Sequence, residues 1–165
     1  MKTKSLLTAI MLSGAASAPA YAQDGAGGAS LGLGAEAMLT GPGGAALVYD
    51  MGQLRIDGIL SFVSANGTNI GLGGRALWVV HKGANSDFSL GGGLGFINSD
   101  PDGPADSTTD LHVDAIAQVR AFLTDNVAVS TSFGFGVAFN DGEEDNRFGF
   151  GAQFVSSAGL VYYFR

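Results

Sequence analysis

The hydrophobicity of this sequence alternates every second residue along most of the chain after residue 29, and this pattern limits the possible folds most strongly. In the segment 127–140, valine and phenylalanine occupy most odd positions, while alanine, serine and glycine occupy most even positions. The segments 86–98 and 147–165 repeat the same arrangement. Successive side chains of a β-strand point to opposite faces, whereas a helix brings residues three and four apart onto one face. The sequence therefore predicts an all-β protein.

The alternating segments are separated by stretches with the composition of turns. Asn66-Gly67, Asp102-Gly103, Asp125-Asn126 and Asp141-Gly142 mark four of these connections, and such pairs favour tight turns between strands. The connections after the second, fourth and sixth segments are short, whereas those after the third, fifth and seventh are longer or more polar. We therefore predict eight strands, at residues 30–40, 44–51, 53–64, 69–82, 86–98, 110–123, 127–140 and 147–165.

The face opposite the bulky apolar side chains consists of glycine, alanine and serine with isolated charges. A soluble β-sandwich or lipocalin-like barrel turns its bulky apolar side chains inward and its charged side chains outward. Small residues suit instead the narrow lumen of a small closed barrel whose apolar face contacts lipid. Most segments reach about 9–11 residues, which is the length that crosses a bilayer at a tilt. The sequence thus predicts a closed transmembrane barrel.

The first 22 residues have the pattern of an export signal. Lys2 and Lys4 precede an apolar stretch at residues 6–12, and Ala20 and Ala22 are the small residues that a signal peptidase accepts before its cleavage point. An apolar stretch this short does not span a bilayer. We therefore expect a signal peptide at 1–22, a short flexible lead at 23–29 and the barrel at 30–165.

Composition and charge exclude several classes of function. The sequence contains no cysteine, which excludes disulfide bonds, thiolate metal ligands and a cysteine nucleophile. The basic residues number 8 and the acidic residues 15, so the formal net charge is −7. A protein that binds nucleic acid needs a basic face, and we therefore expect no nucleic-acid partner.

These features together resemble the small eight-stranded outer-membrane β-barrels of the OmpA/OmpX type. The resemblance extends over residues 30–165 and includes the aromatic C-terminal strand Leu160-Val161-Tyr162-Tyr163-Phe164-Arg165. It implies an eight-stranded antiparallel up-and-down transmembrane β-barrel in the outer membrane of a Gram-negative bacterium, reached by Sec export. It also implies a monomer without a cofactor, which contacts outer-membrane lipid and engages the barrel assembly machinery during biogenesis.

Six charged residues fall in phase with the small-residue face and form the first candidate site. An unpaired charge in a narrow barrel interior is costly, so we expect these acids and arginines to pair. The strand register cannot be read from the sequence, and the individual pairs stay open. Such a network either plugs the lumen or lines a gated, selective pore. The residues of this lumenal polar network are Glu36, Arg55, Asp57, Arg75, Asp114 and Arg120, with His112 and Gln118 nearby in phase.

Two further groups of residues are candidates for surface functions. The connection after the fifth strand carries oxygen-bearing side chains at alternate positions near a glycine, as calcium loops do, although a solvated acidic loop explains the same residues. Two aromatic residues lie near strand ends, where such side chains meet lipid headgroups. The residues of the weak divalent-cation loop are Asn98, Asp100, Asp102 and Asp106, and the membrane-interface aromatics are Trp78 and Tyr162.

The sequence predicts a non-enzymatic outer-membrane protein that is structural or interacts with its surroundings through acidic extracellular loops. A narrow ion or small-solute channel that uses the lumenal charges is the alternative. Two further alternatives are a soluble barrel that binds a small ligand and a lipid-modifying enzyme at the outer rim. Ser107, Asp110 and His112 would supply the catalytic set of such an enzyme, but no nucleophile motif surrounds Ser107. We expect no catalytic residue, no resident metal and no cofactor.

Overall fold

The computed structural model describes residues 29–38, 44–64, 67–103, 107–140, 147–150 and 156–164. Within these residues the chain forms nine β-strands, and none of its segments is a helix long and apolar enough to cross a membrane. The strands are β1 (Ser30–Met38), β2 (Gly44–Asp50), β3 (Leu54–Ser64), β4 (Gly67–Lys82), β5 (Ser86–Pro101), β6 (Thr108–Phe122), β7 (Val127–Asn140), β8 (Arg147–Phe150) and β9 (Ser157–Phe164).

The strands form one antiparallel sheet that closes on itself. Each strand from β1 to β6 pairs with the next one in the chain, and β7 pairs with both β8 and β9. The ring closes where β9 pairs with β1, from Leu31 opposite Phe164 to Met38 opposite Ser157. Because β8 and β9 share one position in the ring, the described strands form an eight-stranded up-and-down barrel. The predicted fold class is confirmed.

The eighth barrel strand differs from its prediction, because it consists of two segments, β8 and β9, rather than one strand at 147–165. Between these segments β7 advances by three residues, from Phe135 to Ser132, while the opposite strand advances by seven, from Phe150 to Ser157. The four additional residues are an even number, so the period-two pattern continues in phase on both sides of the interruption. Alternation alone therefore cannot reveal the break.

The two faces of the barrel wall are those that the alternation predicts. Large apolar side chains point outward and stay exposed, as Phe62 at 65%, Leu94 at 63% and Phe133 at 43% illustrate. Charged and small side chains point inward and are buried, together with some larger apolar side chains such as Ile59, Leu77 and Ile116. This distribution is the reverse of that in a water-soluble barrel and is the one a lipid environment requires. The chain is therefore a transmembrane β-barrel.

The two ends of the barrel differ in their connections. We call the end with the connections 51–53, 83–85 and 123–126 the turn end, and Ser30 and Phe164 lie there as well. The other end, with the connections 39–43, 65–66, 102–107 and 141–146, is the loop end. The connection after β5 is shorter than the predicted 99–109, because the pairing of β5 with β4 continues to Pro101 and β6 begins at Thr108.

Gly34 lies at the closing seam of the barrel, where it pairs with Val161 of β9. A β-carbon on Gly34 would overlap the carbonyl oxygen of Leu160 and would lie 2.9 Å from the Cα of Val161. We expect Gly34→Ala to lower the free energy of unfolding by about 1–3 kcal/mol, because backbone atoms must move to admit the methyl group. Gly58→Ala is the matched control, since its added β-carbon would lie 3.9 Å from the nearest neighbouring atom. Urea unfolding in detergent measures both variants, and equal midpoints would contradict this account of the seam.

Candidate functional site

The six residues of the predicted lumenal polar network lie inside the barrel. Their relative exposures range from 1% for Arg55 to 5% for Asp114. Charges buried to this degree need partners, because the desolvation of an isolated ion is costly. The structure assigns the pairs that the sequence leaves open. The buried charged side chains among the described residues are Glu36, Asp50, Arg55, Asp57, Arg75, Asp87, Asp114 and Arg120.

Arg75 on β4 joins strands from both sides of the lumen. Its Nη2 forms an ion pair with Oε1 of Glu36 on β1 and lies 3.1 Å from Oδ2 of Asp57 on β3. Its Nη1 donates a hydrogen bond to Oγ of Ser157 on β9, at 3.4 Å. Asp57 faces Arg75 across the β3–β4 ladder, whereas neither β1 nor β9 neighbours β4 in the ring. The Arg75 guanidinium therefore bridges the lumen.

Arg120 on β6 forms a second bridge, nearer the turn end. Its Nε and Nη2 donate to Oδ2 of Asp87 on the adjacent strand β5, at 2.9 Å and 2.5 Å. Its Nη1 donates to Oδ2 of Asp50 at 2.6 Å and to Oη of Tyr163 at 2.5 Å. Its Cζ also lies 4.6 Å from the ring centroid of Phe122. Because β2 lies opposite β6 in the ring, the pair with Asp50 spans the lumen.

Arg55 on β3 connects the two bridges. Its Nε lies 3.6 Å from Oδ1 of Asp57, and its Nη1 lies 3.4 Å from Oδ1 of Asp87. Its Nη2 donates to the side-chain oxygen of Gln118, whose Nε2 donates in turn to Oγ of Ser132 at 2.9 Å. The charges around Arg55, Arg75 and Arg120 therefore form one continuous network across the interior.

Glycines opposite the long lumenal side chains make room for this network. Gly93 pairs with Arg75, and a β-carbon on Gly93 would lie only 3.1 Å from Cγ of that arginine. Gly159 pairs with Glu36, and a β-carbon there would lie 3.1 Å from the Cγ of Glu36. Gly32 pairs with Tyr163, and a β-carbon on Gly32 would lie 3.1 Å from the ring of that tyrosine. The small-residue face is thus the surface over which the charged and aromatic side chains lie.

Asp114 is the predicted network member that the three arginines do not bind. It lies on the lumenal face of β6, and within the described residues neither of its carboxylate oxygens has a hydrogen-bond partner. His112 is also buried, two residues nearer the loop end on the same face of β6. Gly93 lies between Asp114 and Arg75 in the sheet, and the Arg75 guanidinium contacts Glu36, Asp57 and Ser157. Asp114 therefore stands apart from the arginine-bridged carboxylates.

Three members of the network were missed by the sequence analysis: Asp50, Asp87 and Tyr163. Asp50 and Asp87 are in phase with inward-facing residues, but they lie at strand ends, where a turn or surface position explains an aspartate equally well. Tyr163 lies between two aromatic residues that face outward, and its own ring is buried at 1% exposure. All three have the same parity as the inward-facing residues of their strands, and this pattern could have identified them as lumenal.

The residues of the predicted cation loop do not form a compact group in the described structure. Asn98 and Asp100 lie within β5, where Nδ2 of Asn98 donates to Oγ1 of Thr109 at 3.1 Å. Asp102 is exposed in the turn, and Asp106 lies outside the described residues. In the part of the chain that the structure describes, no three histidine or carboxylate side chains are grouped so as to hold a metal ion. The cation loop stays a prediction.

Outward-facing aromatic residues gather near the turn end. Trp78 lies opposite Leu54, the first residue of β3, and Tyr162 lies opposite Val127, the first residue of β7. Both side chains are about half exposed on the outer face, at 50% and 51%. Tyr49, which the sequence analysis did not single out, is exposed on the outer face near the same end. Aromatic girdles of membrane barrels occupy outer-face positions near strand ends, and the membrane-interface role of Trp78 and Tyr162 stays a prediction.

The closed ring, the exposed apolar wall and the buried charges define a class of protein, the small transmembrane β-barrels whose lumen is filled by side chains. No protein-family profile and no curated protein sequence matches this chain.

Solved structures of outer-membrane barrels share the fold. The N-terminal β-barrel domain of Pseudomonas aeruginosa OprF superposes with a TM-score of 0.55 at 12% sequence identity, over 82% of this chain and 96% of that domain. Neisserial surface protein A (NspA) superposes with a TM-score of 0.52 at 16% identity, over 82% of this chain and 94% of that protein. This chain thus has the fold of the small eight-stranded outer-membrane barrels of the OmpA/OmpX type.

Proposed function

We propose that this protein is a non-enzymatic integral barrel of a bacterial outer membrane, with a lumen closed by its own charge network. The observation that carries this proposal is the double crossing of the interior by Arg75 and Arg120. An eight-stranded barrel leaves little interior space beyond its side chains. Side chains that bridge opposite walls and are paired by several carboxylates favour a structural plug over a pore.

After Sec export and removal of residues 1–22, the exposed apolar wall contacts outer-membrane lipid. The aromatic strand β9 engages the barrel assembly machinery, and the protein functions as a monomer. The connections 102–107 and 141–146 carry most of the loop-end acids and form a surface that interacts with molecules outside the cell.

The alternatives are each less well supported by the described residues. A channel would require the arginine bridges to move aside, although each contacts at least two carboxylates. A rim enzyme built on His112 is disfavoured because this side chain is buried in the lumen, whereas Ser107 is exposed. A soluble ligand-binding barrel is disfavoured by the exposed apolar wall.

We expect the purified mature protein to need detergent for solubility and to migrate differently on SDS gels when boiled and unboiled. A closed barrel satisfies all its ladder hydrogen bonds internally, so it resists SDS until it is heated. Cell fractionation followed by this gel shift tests membrane location and barrel closure together. A mature protein that stays monodisperse in buffer without detergent would contradict the membrane assignment.

We also expect the loop end to face the cell exterior and both chain termini to face the periplasm. Short periplasmic turns and longer extracellular loops are the usual arrangement of such barrels. Epitope tags inserted at 102–107 or 141–146 should be labelled on intact cells. Tags at Ala84 or Asp125, in turn-end connections, are the controls and should be labelled only after the outer membrane is permeabilised. The reverse labelling would show that the proposed orientation is wrong.

A further inference from the structure

The outer wall of the barrel carries a depression on strands β1, β2 and β3. Its volume is about 440 Å³, and Ala35, Ala45 and Leu60 are among the residues that line it. These three side chains face outward and are exposed. Glu36 also borders the depression, but its side chain is buried at 3% and pairs with Arg75 in the lumen. The depression therefore opens toward the membrane and presents an apolar surface.

A gap in a row of large side chains produces this depression. Ala35 and Ala45 face each other across the β1–β2 ladder. Leu160 of β9 is the outward neighbour of Ala35, and Leu60 of β3 is that of Ala45. The two alanine methyl groups thus form the floor of the gap, and the leucines on both sides form its rims. Beyond Leu60 the row continues around the wall with leucine and phenylalanine only, at Leu72, Phe96, Leu111 and Phe139.

The position of the depression along the strands limits what can occupy it. Ala45 lies four residues from Tyr49, which is near the turn end of β2, and this spacing is about 13 Å along the strand. Because the strands of such barrels tilt by about 35–45°, the separation is about 10 Å along the membrane normal. The apolar band of a barrel is about 25 Å tall. The depression therefore lies within the hydrocarbon layer, which excludes ions and other water-soluble ligands.

We propose that this depression binds one acyl chain of a membrane lipid. Acyl chains surround the wall at this depth, and a single chain is thin enough to lie on the two alanines between the leucine rims. Contacts with the floor and both rims add dispersion energy that a chain on the convex remainder of the wall lacks. Pockets of about 300–1,000 Å³ are typical of sites that hold small ligands. The proposal rests on the transmembrane location of the barrel and is independent of the lumenal plug.

A second copy of the barrel fits the depression less well than an acyl chain does. Two barrels would meet along their convex outer walls. Leu60, Phe62 and Leu160 are all exposed and project beyond the alanine methyl groups, so they would contact the second wall first. The floor of the depression would then stay empty, whereas a flexible chain reaches it.

The test measures the lipid that the barrel retains after refolding into vesicles of phosphatidylethanolamine and phosphatidylglycerol and extraction with a mild detergent. Native mass spectrometry counts the retained lipid molecules. We expect the wild type to retain one lipid molecule and Ala45→Phe to retain none, because the phenyl ring fills the gap. Ala117→Phe is the matched control, since it adds the same ring to the outer wall between Leu90 and Phe133 and should retain lipid as the wild type does. The SDS gel shift verifies that each variant is folded.

A second measurement uses the wild type alone. A lipid with a nitroxide on its acyl chain broadens the methyl NMR signals of the alanines that it approaches. The broadening at Ala35 and Ala45 should saturate as this lipid is added, whereas that at Ala117 should rise in proportion to the amount added.

Three results would overturn the proposal. One is a broadening that depends on the amount of lipid in the same way at Ala35, Ala45 and Ala117. Another is equal lipid retention by Ala45→Phe and Ala117→Phe. The third is a dimeric wild type with a monomeric Ala45→Phe variant, because the depression would then be an interface between two copies of the chain.

Discussion

Replacing Arg75 by alanine is expected to lower the free energy of unfolding by about 3–5 kcal/mol, because it leaves buried carboxylates without their cation. Glu36 would lose its ion pair, and Asp57 would keep only the longer contact with Arg55, at 3.6 Å. Urea unfolding in detergent, followed by the fluorescence of the single tryptophan, Trp78, measures the change.

Two further variants separate charge from packing at Arg75. Arg75→Met keeps an unbranched stem over Gly93, so a loss similar to that of alanine would assign the effect to the charge. Adding Glu36→Gln to Arg75→Met should restore part of the stability, because the carboxylate left unpaired is then neutral. Lys82→Ala removes an exposed positive charge from the same strand and should change the stability by less than about 1 kcal/mol.

Two experimental results would contradict the structural plug. If Arg75→Ala and Lys82→Ala shift the urea midpoint equally, the Arg75 bridge does not stabilise the barrel. If Arg75→Ala instead opens a steady conductance in a planar bilayer without loss of stability, the network is a gate, and the channel alternative replaces the plug.

Replacing Arg120 by methionine should have an effect of the same size, about 3–5 kcal/mol, at the turn end of the lumen. Arg120 donates to Asp50, Asp87 and Tyr163, so its loss leaves three acceptors with fewer donors. Asp87 retains Arg55 at 3.4 Å, whereas the one hydrogen bond that Asp50 retains among the described residues is from the backbone N–H of Gly52, at 2.7 Å. The unfolding midpoint in urea, read as for Arg75, measures the loss.

Tyr163→Phe distinguishes the ion pairs of Arg120 from its other contacts. It removes one hydrogen bond to the guanidinium but keeps a ring over Gly32, so we expect a loss of about 1.5–3 kcal/mol. A loss from Tyr163→Phe as large as that from Arg120→Met would show that the tyrosine contact, rather than the pairs with Asp50 and Asp87, accounts for the stability at this end.

The sequence was sufficient for the features that depend on one strand at a time. Whether a side chain faces lipid or lumen depends on the parity of its position within its strand. Parity therefore placed Glu36, Arg75 and Asp114 on the inner face and Trp78 on the outer face, and the structure has the same arrangement. Local composition also located β2, β3 and β7 to within one residue, because turn residues interrupt the alternation, whereas β5 continues three residues past its predicted end.

Only the tertiary structure decided the features that depend on how strands align with one another. An even shift in register preserves every face, so alternation could reveal neither the four additional residues between β8 and β9 nor the cross-strand pairing of Arg75 with Asp57. The contacts of Arg75 with Glu36 and of Arg120 with Asp50 cross the lumen between strands that are not neighbours, and their partners are set by barrel closure. The register of β4, β5 and β6 also decided that Gly93 alone separates Asp114 from Arg75 across the sheet.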